Sequence, residues 1–579
     1  MPEVLSLASS EQSAHPKSLP IRPGRLLDGA LWFLLIGLLV INLPAFLCMG
    51  LDGDASLHDL VARKLIQAGI HATHLAWYET NLPGMVWLHV LVRLLLGWRS
   101  EMLRLADFVV VAGIVSLLVS WVPASPAAGR ARLALAIVLF SYYFSMSEWC
   151  HCQRDVWMLL PALGALSLRR RQLRLLTGSG FRRGPLLACA LLEGFLWGAA
   201  FWIKPFVAVP ALCCWLLTAC LTWRTAPHRS GKLLLDGMGV LGGGLLAGAA
   251  GCAWLLKSGA WPSFVQMIFV WNREYVNADI AGEAGWLYTL GFLTRFFPWL
   301  LVHAIAVPEA LQQALGIRHW AFVRRRSVTS TTACERMPNA QCLMPAVFYL
   351  GWLFQAVLLQ HLYDYVQVPP VLLGLAVVVC GVVTSPRPVA RRLVLGFLLV
   401  CVLLRFPALC VERAALWSQC VREGSTASLR DRLRLYPKIS YTDLEHVGNY
   451  LRQQDLKDGE LTCFSMQTVP LYLDLNLKPS TNYLFLQFGL LFFSQHRDEM
   501  LAAWSSSPQR FLVCDLEGPR MAALKKTLGG GDDSLLDADA PVLASYPWKD
   551  RIVFRSGRYV VFRLSGPESS QWLADTCTY

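Results

Sequence analysis

The sequence has 579 residues, of which 55% are hydrophobic and only 16% are charged, and its formal net charge is +13. Soluble globular proteins carry about 25% charged residues, so the composition predicts a membrane protein and excludes the disordered, collagen-like and disulfide-scaffold classes. All of the positive excess lies in residues 1–410, which hold 33 Lys and Arg against 19 Asp and Glu. Because these basic residues occur in short loops between apolar runs, they indicate cytoplasmic loops and no nucleic-acid partner.

Apolar runs long enough to cross about 30 Å of hydrocarbon recur between residues 30 and 410. They lie near residues 30–49, 105–122, 131–147, 155–168, 186–203, 205–223, 234–256, 287–308, 343–360, 366–384 and 391–410. We predict one spanning helix for each run, and therefore about 11 spans. A polar tail, residues 1–28, precedes the first span and is expected in the cytoplasm, and a cleavable signal peptide is not expected.

The basic clusters decide the orientation of these spans. They fall on one side of the membrane only if residues 83–98 do not cross it. We therefore predict that this segment is an amphipathic helix on the outer surface, with Trp87, His89, Arg93 and Trp98 at the headgroup boundary. The N-terminus is then cytoplasmic and the C-terminus lies outside, with the bacterial inner membrane as the expected location.

The composition changes after Cys410. Polar helical patterns such as Thr442–Gln453 alternate with short apolar strands at Leu461–Phe464, Arg510–Cys514, Ile552–Phe554 and Tyr559–Phe562. A glycine-rich surface loop is expected at residues 529–531. The predicted fold class is an α-helical multi-pass membrane domain, residues 29–410, followed by a small C-terminal α/β extracytoplasmic domain, residues 411–579.

The first outer loop, residues 50–101, carries the strongest candidates for chemistry. Asp52 and Asp54 follow the first span directly, and residues 55–69 are expected to form a short amphipathic helix. A carboxylate beside apolar walls has a raised pKa and can act as a general base. The alternative is that the two acids are the N-cap of this helix and a solvated loop residue.

Further motifs follow in a fixed order along the chain. They are Tyr78 with Asn81-Leu82-Pro83-Gly84, Gln153-Arg154-Asp155, Trp202-Ile203-Lys204-Pro205, Trp271-Asn272-Arg273-Glu274-Tyr275, and His361-Leu362-Tyr363-Asp364-Tyr365 with Pro369-Pro370. Together with the Asp near the membrane, this order resembles the GT-C superfamily of integral-membrane glycosyltransferases, in its protein O-mannosyltransferase and aminoarabinose-transferase-like branch. The chain departs from the family at Ala55, where a second acid is common, and at Leu82, where Pro is usual.

The resemblance implies a donor sugar on a polyprenyl phosphate, a hydroxyl acceptor on a lipid, protein or polysaccharide, and inversion at the anomeric carbon. It implies that the base is Asp54, with Asp52 as the second choice. The donor phosphate would be bound by Lys204, Arg273, His361 and Tyr363. The acceptor or the base would be oriented by Glu79, Tyr78 and Asp155.

Each of these residues also has a simpler explanation. Lys204 can extend its amine from a helix end to the interface, and Arg273 can pair with Glu274. Asp155 can cap the helix that it begins, and His361 and Tyr363 can be interface anchors. These alternatives stay open from sequence alone.

Metal dependence and other function classes also have to be weighed. An Asp-x-Asp pair can hold a divalent cation, but the branch that this chain resembles is mostly metal-independent, so no metal or other cofactor is expected. A transporter or flippase of a lipid-linked precursor would need charged residues deep along a path. A non-catalytic membrane scaffold whose outer domain binds a partner is the third possibility.

Overall fold

The structure, a computed structural model, describes residues 23–69, 79–124, 128–178, 182–226, 229–277, 285–315, 340–384, 388–436, 438–484, 486–517 and 550–564. These residues are mostly α-helical. The first nine helices are α1 Pro23–Cys48, α2 Gly53–Ala68, α3 Gly84–Leu96, α4 Ser100–Val119, α5 Ala128–Phe144, α6 Arg154–Thr177, α7 Arg183–Ile203, α8 Ala208–Thr225 and α9 Arg229–Lys257.

Helices also make up most of the rest of the described chain. They cover Trp261–Val265, Asn272–Asn277, Gly285–Phe296, Val302–Ala314, Ala340–Leu358, Val368–Thr384, Pro388–Phe406, Glu412–Glu423, Ala427–Leu433, Tyr441–Arg452, Pro470–Asp474, Leu486–Phe492 and Arg497–Ser505. Short 3-10 and π-helical turns join several of them.

Each predicted apolar run is helical, and one of them, residues 287–308, is divided between two helices. Within the described residues, seven helices are long and apolar enough to cross a membrane, or eight if one bent pair counts as a single span. That pair, Thr289–Phe296 and Trp299–Ala314, bends by 87°. The chain therefore has the helices of an integral membrane protein, and the count of eleven spans stays a prediction.

The tightest contact between helices in the bundle joins α7 to α9, and glycines make it possible. A Cβ at Gly194 would overlap the carbonyl of Val240, and a Cβ at Gly243 would overlap the carbonyl of Leu191. The two backbones thus touch directly, as small residues allow between membrane helices.

Buried charges join the same two helices to α6. Arg169 of α6 forms ion pairs with Glu193 of α7 at 2.8 Å and with Asp236 of α9 at 2.7 Å, and all three side chains are shielded from solvent. Removing one partner of such a group is costly because it leaves an uncompensated buried charge. Sequence alone gave Glu193 no role, and the structure shows that it belongs to this cluster.

The helix α3 forms where an interfacial helix was predicted, but two of its polar residues do not face outward. His89 Nδ1 lies 2.8 Å from Asp59 Oδ1, and Arg93 Nε donates to the same oxygen at 2.8 Å. Both side chains are buried. The prediction that they lie at the headgroup boundary was wrong because the carboxylate of Asp59 on α2 neutralises Arg93 inside the protein.

The described part of the C-terminal segment contains a four-stranded sheet of order β1-β2-β4-β3. Strands β1 Leu461–Cys463 and β2 Phe511–Asp515 are parallel, whereas β4 Tyr559–Arg563 runs antiparallel to β2 and to β3 Arg551–Ser556. All four predicted strands are present. The expected glycine-rich loop at 529–531 lies outside the described residues.

The predicted boundary at residue 410 falls inside a helix. Residues Arg391–Glu423 form one continuous apolar helix, whose π-turn Pro407–Val411 spans the change of composition. Its Arg413 donates to Asn42 of α1 at 2.9 Å and to the carbonyl of Phe144 at the end of α5. The chain thus enters its C-terminal segment without a break in the helix.

The C-terminal segment packs against the loop between α1 and α4. Arg63 of α2 donates to the carbonyls of Tyr472 and Leu477, and Tyr441 Oη donates to the carbonyl of Leu51. We call the end of the bundle where α1 ends and α2 begins the site end, because the candidate residues meet there.

Candidate active site

The acidic pair lies at the N-terminus of α2. Asp52 is the N-cap, since its side chain accepts a hydrogen bond from the backbone N–H of Asp54 at 3.2 Å, and it is 4% exposed. Asp54 stands in the first turn. Gly53 between them has no room for a side chain, because a Cβ there would meet Met466 of the C-terminal segment.

The pKa of Asp54 suits a general base. Burial, followed by the like charge of Asp52, raises the pKa of Asp54 to about 6, although Lys438 and Arg154 act in the opposite direction. A base with a pKa near the working pH is both deprotonated and strong enough to accept a proton. Asp52 thus caps α2, and Asp54 has the raised pKa.

A cavity of about 380 Å³ lies at the site end, and Asp54 is not part of its wall. Its wall is made of Thr80, Asn81, Leu82, Arg154, Ile203, Lys204, Pro205, Phe206, Ile268, Asn272, Tyr275, Val276, Leu358, Leu359, Gln360, His361, Tyr363, Tyr365 and Val366. The charge of Asp54 acts on Arg154, Lys204, Tyr275 and Tyr365 of this wall. The cavity therefore has cations and hydroxyl groups in its wall that interact electrostatically with Asp54.

Lys204 and Asp155, which sequence assigned separately, form one ion pair. Lys204 follows the last residue of α7, and its Nζ donates to both carboxylate oxygens of Asp155 at 2.8 Å. Burial lowers the pKa of Lys204 to about 8, while Asp155 opposes the change. Lys204 lines the cavity and Asp155 does not, so the ion pair adjoins the cavity through its lysine.

His361 and Tyr363 lie on the cavity wall opposite the α7 end. The hydroxyl groups of Tyr363 and Tyr275 are 3.4 Å apart, and the ring of His361 packs edge-on against Tyr275. Burial lowers the pKa of His361. Both residues can donate hydrogen bonds into the cavity.

Two other candidates, Arg273 and Glu79, are not part of the cavity wall. Arg273 is exposed and is not part of the cavity wall, although its neighbour Glu274 accepts a hydrogen bond from the backbone of Gln495 at 3.0 Å. Glu79 is buried, and its Oε1 accepts hydrogen bonds from Asn81. Tyr78 lies outside the described residues.

Two positively charged residues, Arg154 and Lys438, were not predicted from the sequence. Arg154 was quoted only as part of a motif, yet it lines the cavity beside Asp155. Lys438 comes from the C-terminal segment and packs over the ring of Trp149, where burial lowers its pKa against the charges of Asp52 and Asp54. The position of Arg154 at the start of a span was an available signal, but nothing in the sequence connects Lys438 to residues almost 400 positions earlier.

A cation site was also considered for the acidic pair. Among the residues that the structure describes, no group of three or more His, Cys, Asp or Glu side chains could hold a metal ion. Asp52 and Asp54 therefore offer no complete protein ligand set in that part of the chain.

Comparison with known proteins identifies the fold. No protein-family model and no curated protein matches the chain. The crystal structure of ArnT from Cupriavidus metallidurans in the apo state matches with a TM-score of 0.50 and 14% identity over 94% of this chain and 100% of that one. The structure of the same protein bound to undecaprenyl phosphate matches with a TM-score of 0.50 and 15% identity over 93% and 100%.

A more distant match is an oligosaccharyltransferase from Archaeoglobus fulgidus, with a TM-score of 0.40 and 11% identity over 84% of this chain and 68% of that one. The two ArnT matches show that the chain has the fold of ArnT.

Proposed function

We propose that this chain is a membrane glycosyltransferase that moves a sugar from a polyprenyl-phosphate donor to a hydroxyl acceptor, with inversion at the anomeric carbon. The observation that carries the proposal is the cavity at the site end, whose wall contains Lys204 and Arg154, two cations that interact electrostatically with Asp54. Cations suit a departing phosphate, and a carboxylate of raised pKa suits an acceptor proton.

The donor side of the cavity fits a lipid phosphate. ArnT, which has the same fold, has been crystallised with undecaprenyl phosphate. In this chain Lys204, Arg154, His361 and Tyr363 offer charged and neutral donors on the wall of one cavity. The exposed position of Arg273 argues for a lesser role, so we assign the phosphate to the other four residues.

The reaction follows from this arrangement. The acceptor oxygen attacks the anomeric carbon on the face opposite the phosphate while Asp54 removes its proton. The bond from the anomeric carbon to the phosphate oxygen breaks, and its electron pair leaves with the lipid phosphate. Lys204 and Arg154 stabilise the charge that develops there. One base is sufficient because a single displacement inverts the carbon.

Two further carboxylates, Asp52 and Asp155, support this step by their effects on Asp54 and Lys204. Asp52 fixes the first turn of α2 and raises the pKa of Asp54 by its own charge. Asp155 holds Lys204 by two hydrogen bonds and so orients its amine. We propose positioning roles for Asp52 and Asp155, with no metal ion required.

The topology belongs to the same proposal. The site end, the cavity and the C-terminal segment would lie outside the cytoplasm, and the N-terminus would lie within it. For an undecaprenyl-type donor, this corresponds to the outer face of a bacterial inner membrane. The acceptor would be a lipid, a protein or a polysaccharide of that compartment.

A transporter is disfavoured by the position of the buried charges. Such a protein would carry its charged residues along a path. Arg169, Glu193 and Asp236 are buried in the bundle, but they pair with one another and do not line the cavity at the site end. A scaffold without catalysis remains an outcome of the experiment.

Donor turnover by purified protein tests the proposal. The full chain in detergent is incubated with labelled polyprenyl-phosphate sugars and a membrane extract as acceptor source, with and without a chelator. We expect Asp54→Asn to lower turnover by about 10²–10⁴-fold, since it removes the general base. Asp28→Asn, at the other end of α1, is the matched control and should retain full turnover.

The outcomes separate the three functions. Turnover equal in wild type and Asp54→Asn would overturn the role of the base. Binding of the donor without turnover in the presence of extract would favour a transporter or scaffold. Loss of turnover on chelation would contradict the metal-independent reaction.

A further inference from the structure

Two cysteines that are far apart in the sequence meet at the site end. Cys48 is the last residue of α1, and Cys420 lies in the helix Arg391–Glu423. The thiol of Cys48 donates to the carbonyl of Cys420 at 3.5 Å, and the two thiols also share a side-chain hydrogen bond. The residues are 372 positions apart, and the structure shows both as thiols. Their contact therefore joins the two ends of the helical bundle.

Polar contacts on both sides of this pair hold the two helices next to each other. Below the pair, Trp417 Nε1 donates to the carbonyl of Val40 at 2.8 Å. Above it, Ser425 Oγ donates to the carbonyl of Cys48 itself at 2.8 Å. The backbones that carry the two thiols are thus fixed by their neighbours, so the sulfur atoms stay close together as long as the helices are packed.

The surroundings of the pair are apolar and dry. Cys48 is 3% exposed and Cys420 is 4% exposed. They belong to one buried cluster, whose other members are Ala45, Met49, Leu416, Leu429 and Leu433. Because soluble reductants cannot reach sulfur atoms at such a position, a bond between them would persist once it had formed.

Two other buried thiols, in the C-terminal segment, are kept apart by the sheet. Cys463 of β1 stands opposite Val513 of β2, so Cys514 is one position further along its strand. Successive side chains of a strand point to opposite faces, and Cys463 and Cys514 accordingly belong to different hydrophobic clusters. The contact between Cys48 and Cys420 is therefore specific to that pair, and Cys463 offers a control for it.

We propose that Cys48 and Cys420 form a structural disulfide that ties the end of α1 to the helix Arg391–Glu423. The inference rests on the topology in the proposed function, which puts the site end outside the cytoplasm, where disulfides form and persist. The bridge closes a loop that contains most of the bundle. It also fixes the chain four residues before Asp52, the N-cap of α2.

The bond forms by exchange with a protein disulfide of the outer compartment, which is the oxidant. The thiolate of one cysteine attacks that disulfide, which gives a mixed disulfide and releases one thiolate of the oxidant. The thiolate of the second cysteine then displaces the other sulfur of the oxidant. The two cysteines lose two protons and two electrons, and the oxidant becomes a dithiol. Because both cysteines are buried in the folded chain, this exchange precedes the final packing of the two helices.

Thiol analysis of the full chain, expressed in a bacterial host, tests the proposal. Cells are quenched with acid, free thiols are blocked with N-ethylmaleimide, and the purified protein is digested without reductant. Mass spectrometry should find one cross-linked pair of peptides that contains Cys48 and Cys420. Reduction of the unfolded protein should release two more thiols from the wild type than from the double variant Cys48→Ala, Cys420→Ala.

Thermal unfolding in detergent measures the effect of the bridge. A disulfide stabilises by restricting the unfolded chain, and the more so for a long loop. We expect a thiol reductant to lower the unfolding midpoint of the wild type by about 2 °C or more and to leave that of the double variant unchanged. Cys463→Ala, the matched control, should keep the cross-link and respond to the reductant as the wild type does.

Recovery of Cys48 and Cys420 from cells as free thiols would overturn the proposal. A wild-type midpoint that does not respond to the reductant would overturn the stabilising role of the bridge. Failure of the proposed function would appear separately, as a chain that carries the cross-link but turns over no polyprenyl-phosphate sugar.

Discussion

At the residue scale, the site depends on the different surroundings of two acids that are two positions apart. The Asp52 side chain accepts a hydrogen bond from the backbone of α2, whereas the pKa of Asp54 is raised to about 6. Sequence predicted that a carboxylate at this boundary would have a raised pKa, and Asp54 does. It did not predict which positive charges oppose that rise, because Arg154 and Lys438 approach from distant parts of the chain.

The dependence of turnover on pH follows from these charges. Asp54 acts as a base only when deprotonated, so turnover should fall about tenfold per unit as the pH drops below about 6. Asp52→Asn removes a like charge, which lowers the pKa of Asp54 and moves this acidic limb to lower pH. Asn also caps helices well, so α2 should remain folded. The measurement is donor turnover across pH 4–8.

The substitution Lys438→Gln should shift the acidic limb of the pH profile in the direction opposite to that of Asp52→Asn. It removes a positive charge that lowers the pKa of Asp54, so the acidic limb should move to higher pH. A limb that shifts in the same direction in both variants, or in neither, would contradict the assignment of Asp54 as the titrating base. Lys457→Gln should leave the profile unchanged.

At the level of individual elements, the sequence predicted the helices and strands well, and their partners poorly. Each apolar run is a helix because its length and hydropathy already specify one. The pairs Lys204–Asp155 and Arg93–Asp59 could not be predicted, because they join residues on different elements. The apolar character of α3 was clear from sequence, but which of its polar residues are buried depends on α2.

The contact between α7 and α9 gives a prediction at this scale. Gly243→Leu should separate the two helices, because a side chain there would overlap the backbone of α7. We expect a fall in the midpoint of thermal unfolding of about 5 °C or more, from the cost of overpacking. The measurement is thermal unfolding of the purified protein in detergent.

Gly248→Leu is the matched control for this change. It lies on the same helix, but a Cβ there would meet no atom within 4 Å. Its unfolding midpoint should stay close to that of the wild type. Equal losses in both variants would show that the helix simply tolerates no larger residue, independently of α7.

At the scale of the whole molecule, the positions of charge decide how the chain is placed in a membrane. The sequence predicts the orientation from the basic loops between the apolar runs, and this orientation stays a prediction. The predicted domain boundary at residue 410 does not coincide with the end of an element, because the composition changes in the middle of a helix that continues to Glu423.

Reporter fusions check the orientation in a bacterial host. Alkaline phosphatase, which folds only outside the cytoplasm, should be active when fused after Gly424, which follows the last helix of the bundle. A fusion after Ala226, in a basic loop, should be inactive, and green fluorescent protein should give the reverse pattern. Activity of the phosphatase at Ala226 would invert the proposed topology and place the candidate site in the cytoplasm.

The unbroken helix Arg391–Glu423 has a mechanical consequence. At 1.5 Å per residue, its 33 residues extend over about 50 Å. A tilt of the helix axis by about five degrees therefore displaces its far end by several ångströms. Membrane helices adjust their tilt to the thickness of the surrounding lipid. Lys438 lies fifteen residues after the end of this helix, so its distance from Asp54 would differ between thin and thick bilayers. The activity of the chain would then depend on the thickness of the surrounding lipid.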